Sequence, residues 1–123
     1  MNLTANTRQE GDVIILGLRG RIVRGEESAA FRERICDLLA EGHRKFLLNL
    51  ADVNYIDSTG LAHLVGALVS VRKLNGEIKL LNLSSRFHDV LQITKLHTVV
   101  ESFDNEATAV ESFVHSVAAS SQG

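Results

Sequence analysis

The chain has 123 residues, of which 45% are hydrophobic and 23% are charged, and its formal net charge is −2. This length supports one domain with its own core and is too short for two domains. The chain has no basic run, since its densest basic cluster, Arg21 to Arg24, holds only two arginines. Together with the negative net charge, this excludes a general electrostatic attraction to nucleic acid.

The first twenty residues predict a β-hairpin. Residues 3–8 and 12–19 have the composition of two short strands, and the second is nearly continuous in β-branched and apolar residues, as a buried strand is. The turn residues between them are Gln9, Glu10 and Gly11. We expect the first strand to be the antiparallel edge partner of the second.

Helices and strands alternate after the hairpin. The first half should form a helix from Glu26 that stops at Gly42, a strand at 45–50 and a loop at 51–57. A second helix should follow from near Ser58 to Asn75–Gly76, and then a strand at 77–83. The remainder should form a short helix capped by Ser84 or Ser85, a strand at 98–103, and a last helix opened by Asp104 or Asn105. This alternation predicts an α/β fold with a mixed, mostly parallel sheet and about four helices. We expect a single domain over residues 1–119 and a flexible tail at 120–123.

Two helices have an apolar face that we expect to be buried. In the last helix this face comprises Ala107, Val110, Val114 and Val117. In the helix that begins near Ser58 it comprises Leu61, Leu64, Val65, Leu68 and Val71. The opposite side of that helix carries mostly small residues, namely His63, Gly66, Ala67 and Ser70. Because small residues permit close approach, this side either contacts a partner or packs against a neighbouring helix of the same domain.

The location of the protein follows from what the sequence lacks. The polar N-terminus has no apolar segment of the kind found in secretory signals, and the longest mostly apolar segment, Leu61 to Val71, is about half of the ~20 residues that a membrane span needs. The single cysteine, Cys36, cannot form an intrachain disulfide or a cysteine-based metal cluster. We therefore expect a cytoplasmic protein that does not insert into membranes.

The stretch Asp57-Ser58-Thr59-Gly60 lies where a strand is followed by a helix, which is where functional sites gather in parallel sheets. Serine and aspartate are preferred N-cap residues, so Ser58 taken alone is a helix cap. One cap is enough, however, and Gly60 costs up to ~1 kcal/mol relative to alanine in a helix. Because glycine also leaves the serine accessible, the combination favours display of the Ser58 hydroxyl to another protein.

Other chemistries fit the sequence poorly. A nucleophile elbow has the pattern G-x-S-x-G, but Ile56 stands where its first glycine belongs. The chain has no G-x-x-x-x-G-K-[ST] and no G-x-G-x-x-G motif. The five histidines include no i, i+4 pair and no Glu-x-x-His arrangement. We therefore expect no metal and no cofactor, and the residues disfavour a serine hydrolase.

The segment LLNLADVNYIDSTGL and the apolar helix after it closely resemble the signature of STAS domains, and more narrowly that of bacterial anti-sigma factor antagonists. Residues 57–61 match the family pattern D-S-[S/T/A]-G-[L/V] position by position. The resemblance extends to the segment L-x-G-R-I at residues 18–22 and to the strand KLLNLS at 79–84. The chain departs from the pattern at Val23, Arg24 and Gly25, where many members carry an acid.

The resemblance implies a phosphorylation switch at Ser58, with Thr59 as the second candidate acceptor. In the family, a partner that is both an anti-sigma factor and a serine kinase phosphorylates this serine, and a phosphatase resets it. The unmodified antagonist binds that partner with its bound nucleotide, which frees the sigma factor for transcription. The resemblance therefore implies a binding protein that is not itself an enzyme. The implied partner-binding residues are Asp57, Ser58, Thr59, Gly60, His63, Gly66 and Ala67.

Two alternatives remain open at this point. STAS domains also serve as constitutive binding subunits of transporters and larger signalling complexes, and Ser58 would then be only a cap. A small hydrolase would use Ser58 as its nucleophile. The sequence also leaves open whether the chain forms a homodimer.

Overall fold

A five-stranded mixed sheet organises residues 3–113, the part of the chain that the computed structural model describes. The strands are β1 (Leu3–Glu10), β2 (Val13–Ile22), β3 (Lys45–Ile56), β4 (Glu77–Leu81) and β5 (Ser102–Phe103). They lie side by side in chain order, with β1 antiparallel to β2 and every other neighbouring pair parallel. The predicted α/β class and the antiparallel edge strand are confirmed.

The helices cover both faces of this sheet. Their bounds are α1 (Glu26–Ala40), α2 (Ser58–Lys73), α3 (Ser85–Ile93) and α4 (residues 106–113), with a short 3₁₀ turn at Leu96–Thr98. Because each crossover connects a strand to its next neighbour and such connections are right-handed, α1, α2 and α3 lie on the same face. The chain reaches the other face only after β5, where α4 lies. No helix within residues 3–113 is long and apolar enough to cross a membrane.

The sheet separates a large core from a small one. The large core packs alternate residues of β2, β3 and β4 against the buried faces of α1, α2 and α3. The small core lies under α4 and comprises Val13, Ile15, Leu47, Leu81, Ala109 and Phe113. Strand residues alternate between the two cores because successive side chains of a strand point to opposite faces.

β3 is much longer than the sequence indicated. The loop predicted over residues 51–57 is wrong, because β3 continues to Ile56. Its second half pairs only with β2, where Asp52 lies opposite Arg19 and Tyr55 opposite Arg21, while its pairing with β4 ends at Asn49. With one neighbouring strand and mostly exposed side chains, this half has a polar composition that resembles a loop.

The end of the described chain differs from prediction in two ways. The strand predicted at 98–103 is reduced to Ser102–Phe103. In α4 the prediction that Ala107 is buried is wrong, because Ala109 and Phe113 face the sheet and Ala107 is exposed. Val114, Val117 and the tail predicted at 120–123 lie outside the described residues.

The caps predicted for the last two helices are confirmed. The Ser84 hydroxyl accepts a hydrogen bond from the Phe87 amide at 3.2 Å, so Ser84 rather than Ser85 caps α3. The Asn105 side chain accepts one from the Thr108 amide at 2.9 Å, at the start of α4. In both cases the cap occupies an amide that has no partner within its own helix.

Candidate functional site

The candidate site lies where β3 ends and α2 begins, against the loop that joins β2 to α1. The Asp57 amide donates a hydrogen bond to the Ile22 carbonyl at 3.1 Å, which continues the β2–β3 pairing by one residue. Strand pairing therefore fixes the position of the first residues of α2.

Asp57 holds the two loops together through its side chain. One carboxylate oxygen accepts a hydrogen bond from the Gly60 amide at 2.7 Å, which makes Asp57 the N-cap of α2. The other oxygen accepts one from the Arg24 amide at 3.1 Å, across the gap to the β2–α1 loop. The amides of Gly60 and Arg24 hold the pKa of this carboxyl below its usual value, and the charge of Arg21 adds to the effect.

Gly60 lies in van der Waals contact with the end of β2. It is buried, and a Cβ built on it would lie 1.8 Å from the Ile22 carbonyl oxygen. A side chain at this position is therefore excluded by the backbone of the same domain. The close approach of α2 to β2 is therefore sufficient reason for a glycine at position 60, whatever its effect on access to Ser58.

Ser58 and Thr59 are the accessible residues of the junction. Ser58 is the first residue of α2 and not its cap, and both residues are exposed. Within residues 3–113 the Ser58 hydroxyl has no hydrogen-bond partner. This hydroxyl is consequently free to meet another molecule without any loss of structure in α2.

The face of α2 that carries small residues packs mostly against α1. The guanidinium group of Arg32 covers Gly66, with its nearest atom 2.7 Å from where a Cβ would lie. Ala67 has no exposed surface and belongs to the large core, so the expectation that it faces outward is wrong. Of the two alternatives for this face, packing within the domain is the one observed for Gly66 and Ala67. The small side chains of this face let α1 and α2 approach closely. Helical periodicity alone does not show whether a helix of the same domain or a partner packs against such a face.

His63 is the member of this face that keeps some accessible surface. It lies one turn after Thr59 and is partly exposed. Its Nδ1 atom, in contrast, is buried and has no hydrogen-bond partner within the described chain. One side of the His63 ring, with Nδ1, is therefore buried within the domain, and the rest of the residue is accessible one turn after Thr59.

The profile of the STAS domain family matches residues 4–109. The chain belongs to the STAS domain family. It is similar to the anti-sigma-B factor antagonist of Bacillus subtilis, with 33% identity over 101 residues that cover 82% of this chain and 91% of the relative.

Two solved structures share the fold of this STAS domain. One is TM1081 of Thermotoga maritima, a provisionally assigned anti-sigma factor antagonist, with a TM-score of 0.78, 28% identity, and coverage of 88% of this chain and 92% of that one. The other is the Bacillus cell fate determinant SpoIIAA in its phosphorylated form, with a TM-score of 0.72, 18% identity, and coverage of 89% and 99%. SpoIIAA has also been solved unphosphorylated. At this identity the likeness to SpoIIAA is one of fold.

Three exposed residues of this STAS domain extend the site beyond the predicted set. The Arg21 guanidinium lies over the Tyr55 ring, 5.1 Å from its centroid, and Tyr55 is 39% exposed. Arg24 is exposed too, and its amide is the one bound by Asp57. We call Arg21, Arg24 and Tyr55 the arginine–tyrosine patch. The sequence shows the two arginines, but only the β2–β3 register brings Tyr55 to Arg21.

Metal chemistry has no support in the described part of this STAS domain. Residues 3–113 contain no group of three or more histidine, cysteine, aspartate or glutamate side chains placed to hold an ion. Asp57, the one acid of the junction, directs both of its oxygens at backbone amides. Both oxygens of Asp57 are therefore occupied by hydrogen bonds within the domain.

Proposed function

We propose that this STAS domain is an anti-sigma factor antagonist that binds an anti-sigma factor with serine kinase activity, and that phosphorylation of Ser58 ends this binding. The observation that carries the proposal is the division of labour at the start of α2, where Asp57 caps the helix and Ser58 presents an unbonded, exposed hydroxyl. A serine with a purely structural role would itself accept the cap hydrogen bond, which here goes to Asp57. The name of the Bacillus subtilis relative, an anti-sigma-B factor antagonist, supports the same function.

The position of Ser58 makes it a suitable phosphate acceptor. A phosphoryl group adds a charge of about −1.5 to −2 at neutral pH. At the N-terminus of α2 it would meet the positive end of the helix dipole, so the folded state tolerates it. Thr59 is exposed as well and is the second candidate acceptor.

The same phosphoryl group would change how a partner meets the junction. The contact surface that we propose comprises Ser58, Thr59 and the accessible parts of Asp57 and His63. Gly60 and Ala67 are buried and support this surface from below. A loss of about 3 kcal/mol in binding free energy on phosphorylation is about a hundredfold in affinity, which is enough for a switch.

The proposed cycle needs two partners in the cytoplasm. The unmodified chain occupies the anti-sigma factor, and the released sigma factor then directs transcription. The anti-sigma factor ends this state by transferring a phosphoryl group from its bound nucleotide to Ser58, and a phosphatase restores the hydroxyl. The STAS domain itself takes part as substrate and ligand, not as an enzyme.

The test is to isolate the protein from its native cells across growth and stress conditions and to map phosphorylated peptides by mass spectrometry. We expect a phosphoryl group on Ser58 whose occupancy changes with condition. Purified Ser58→Ala should retain an anti-sigma factor persistently and Ser58→Asp should not, while Ser85→Ala, at the exposed first residue of α3, is the matched control and should behave like wild type. A Ser58 that stays unmodified under every condition, stress included, would favour the constitutive scaffold.

A further inference from the structure

The arginine–tyrosine patch has a charge that the phosphorylation switch does not by itself explain. Arg21 and Arg24 are both exposed, and Asp57, which lies at the junction, accepts hydrogen bonds from the amides of Gly60 and Arg24. The nearby acid Glu27 lines the separate groove between β1 and α1. Glu26 lies in the first turn of α1, whose free amides offset its charge. The junction therefore carries two exposed guanidinium groups on a chain with a formal net charge of −2.

The patch is also preorganised for contact. Stacking of Arg21 on the Tyr55 ring limits the motion of both side chains, so less conformational entropy is lost when a partner binds. Tyrosine and arginine are among the residues that contribute most to the stability of protein interfaces. Arg24 is held at its backbone by the bond from its amide to Asp57, 3.1 Å long, which fixes the start of its side chain.

A positive patch at this place would determine the direction of the switch. An acidic segment of a partner is attracted to the two exposed guanidinium groups of the unmodified surface, since the Asp57 carboxylate is directed at the backbone amides of Gly60 and Arg24. A phosphoryl group on Ser58 adds a charge of about −1.5 to −2, which offsets the charge of the two guanidinium groups. The same partner is then repelled, and the arginines turn toward the phosphate. A basic partner would respond in the opposite way.

We infer that the arginine–tyrosine patch is the docking surface for an acidic segment of the anti-sigma factor, and that phosphorylation of Ser58 ends binding by cancelling the positive charge of the patch. This inference rests on the proposed function, because it assigns the chemistry of the partner that meets Ser58. It commits to a protein surface rich in aspartate or glutamate.

A titration with hexaglutamate tests the patch without the natural partner. In NMR spectra that follow the backbone amide resonances of the protein, hexaglutamate should shift the resonances of residues 21–24 and 55–59 most. Hexalysine should not shift them. Ser58→Asp should weaken the hexaglutamate response. Equal shifts over the whole surface, or larger shifts elsewhere, would overturn the inference.

The second arm uses the anti-sigma factor that Ser58→Ala retains, purified and measured by calorimetry. The double variant Arg21→Glu/Arg24→Glu should weaken its affinity about tenfold or more, and added salt should weaken the wild-type complex. The matched control is Lys73→Glu/Lys95→Glu, which makes the same charge change at exposed residues, with Lys73 about 22 Å from Ser58 along α2. Equal affinities for the two double variants would contradict the patch while leaving the Ser58 switch intact. Absence of phosphorylation at Ser58 would contradict the proposed function, and the hexaglutamate titration would still decide the charge of the surface.

Discussion

A Cβ atom on Gly60 would lie 1.8 Å from the carbonyl oxygen of Ile22 and 2.4 Å from its carbonyl carbon. Backbone atoms cannot move aside as the end of a side chain can. The contact joins the first turn of α2 to the last residue of β2 and keeps the junction that displays Ser58 in place.

We therefore expect Gly60→Ala to lower the free energy of unfolding by about 3 kcal/mol or more, because α2 must move away from β2. The matched control is Gly66→Ala in the same helix, where a Cβ meets only the flexible end of Arg32. Its effect should stay within about 1 kcal/mol, since alanine also favours the helix. Urea denaturation of both variants measures the difference, and equal losses would show that the Ile22 contact is not decisive.

Because Asp57 is the cap of α2, its substitution should destabilise the protein, and substitution of its neighbour Ser58 should not. Ser58→Ala should change the free energy of unfolding by less than about 0.5 kcal/mol, because its hydroxyl has no partner in the described chain. Ser84→Ala, which removes the single cap bond of α3, should cost about 1 kcal/mol. Asp57→Ala should destabilise more than Ser84→Ala, since it leaves two amides unpaired. If Ser58→Ala proved as costly as Ser84→Ala, Ser58 would be a structural residue.

Asp57 also gives the stability a defined dependence on pH. Its pKa in the folded protein is lowered below the usual 3.8 by the amides of Gly60 and Arg24. A lowered folded pKa means that the charged form is favoured by folding, so the contribution is fully present above the unfolded pKa. It is lost as the pH falls below about 3.8 and through the folded pKa. Unfolding of wild type and Asp57→Asn should differ at neutral pH and converge in acid, and a constant difference would contradict the role of the charge.

Much of the fold follows from local pattern in the sequence. Alternating apolar segments and a helical stripe suffice to predict the order of strands and helices and the antiparallel hairpin. Local caps were predictable for the same reason, since Ser84 and Asn105 act within three residues of themselves.

The candidate site is less predictable because its contacts join distant parts of the chain. Arg24 and Asp57 are 33 residues apart, and the reason for a glycine at position 60 lies in Ile22. The sequence shows that Ser58 is preceded by an acid. Only the packing shows that this acid takes over the cap and leaves the serine hydroxyl free. The burial of Ala67 depends in the same way on α1, which helical periodicity does not locate.

Lys79 is the clearest case of a buried charge outside the site. Its side chain is 6% exposed and crosses the small core under α4. The ammonium group donates to the Ser112 hydroxyl at 2.8 Å, lies 3.3 Å from a Glu101 oxygen, and faces the Phe113 ring at 4.8 Å. These contacts tie β4 to α4 and replace the water that the charge loses on burial.

Reversal of the Lys79 charge should therefore lower the free energy of unfolding much more than its removal does. Lys79→Glu places a carboxylate beside Glu101 and against the negative face of an aromatic ring, so we expect a loss of about 3 kcal/mol or more in the free energy of unfolding. Lys79→Met keeps the length and the apolar stem and should cost much less. Lys95→Glu, at an exposed position, controls for net charge and should stay within about 0.5 kcal/mol. Denaturant titration of the three variants measures the order, and similar stabilities of Lys79→Glu and Lys79→Met would show that α4 does not rest on this ammonium group.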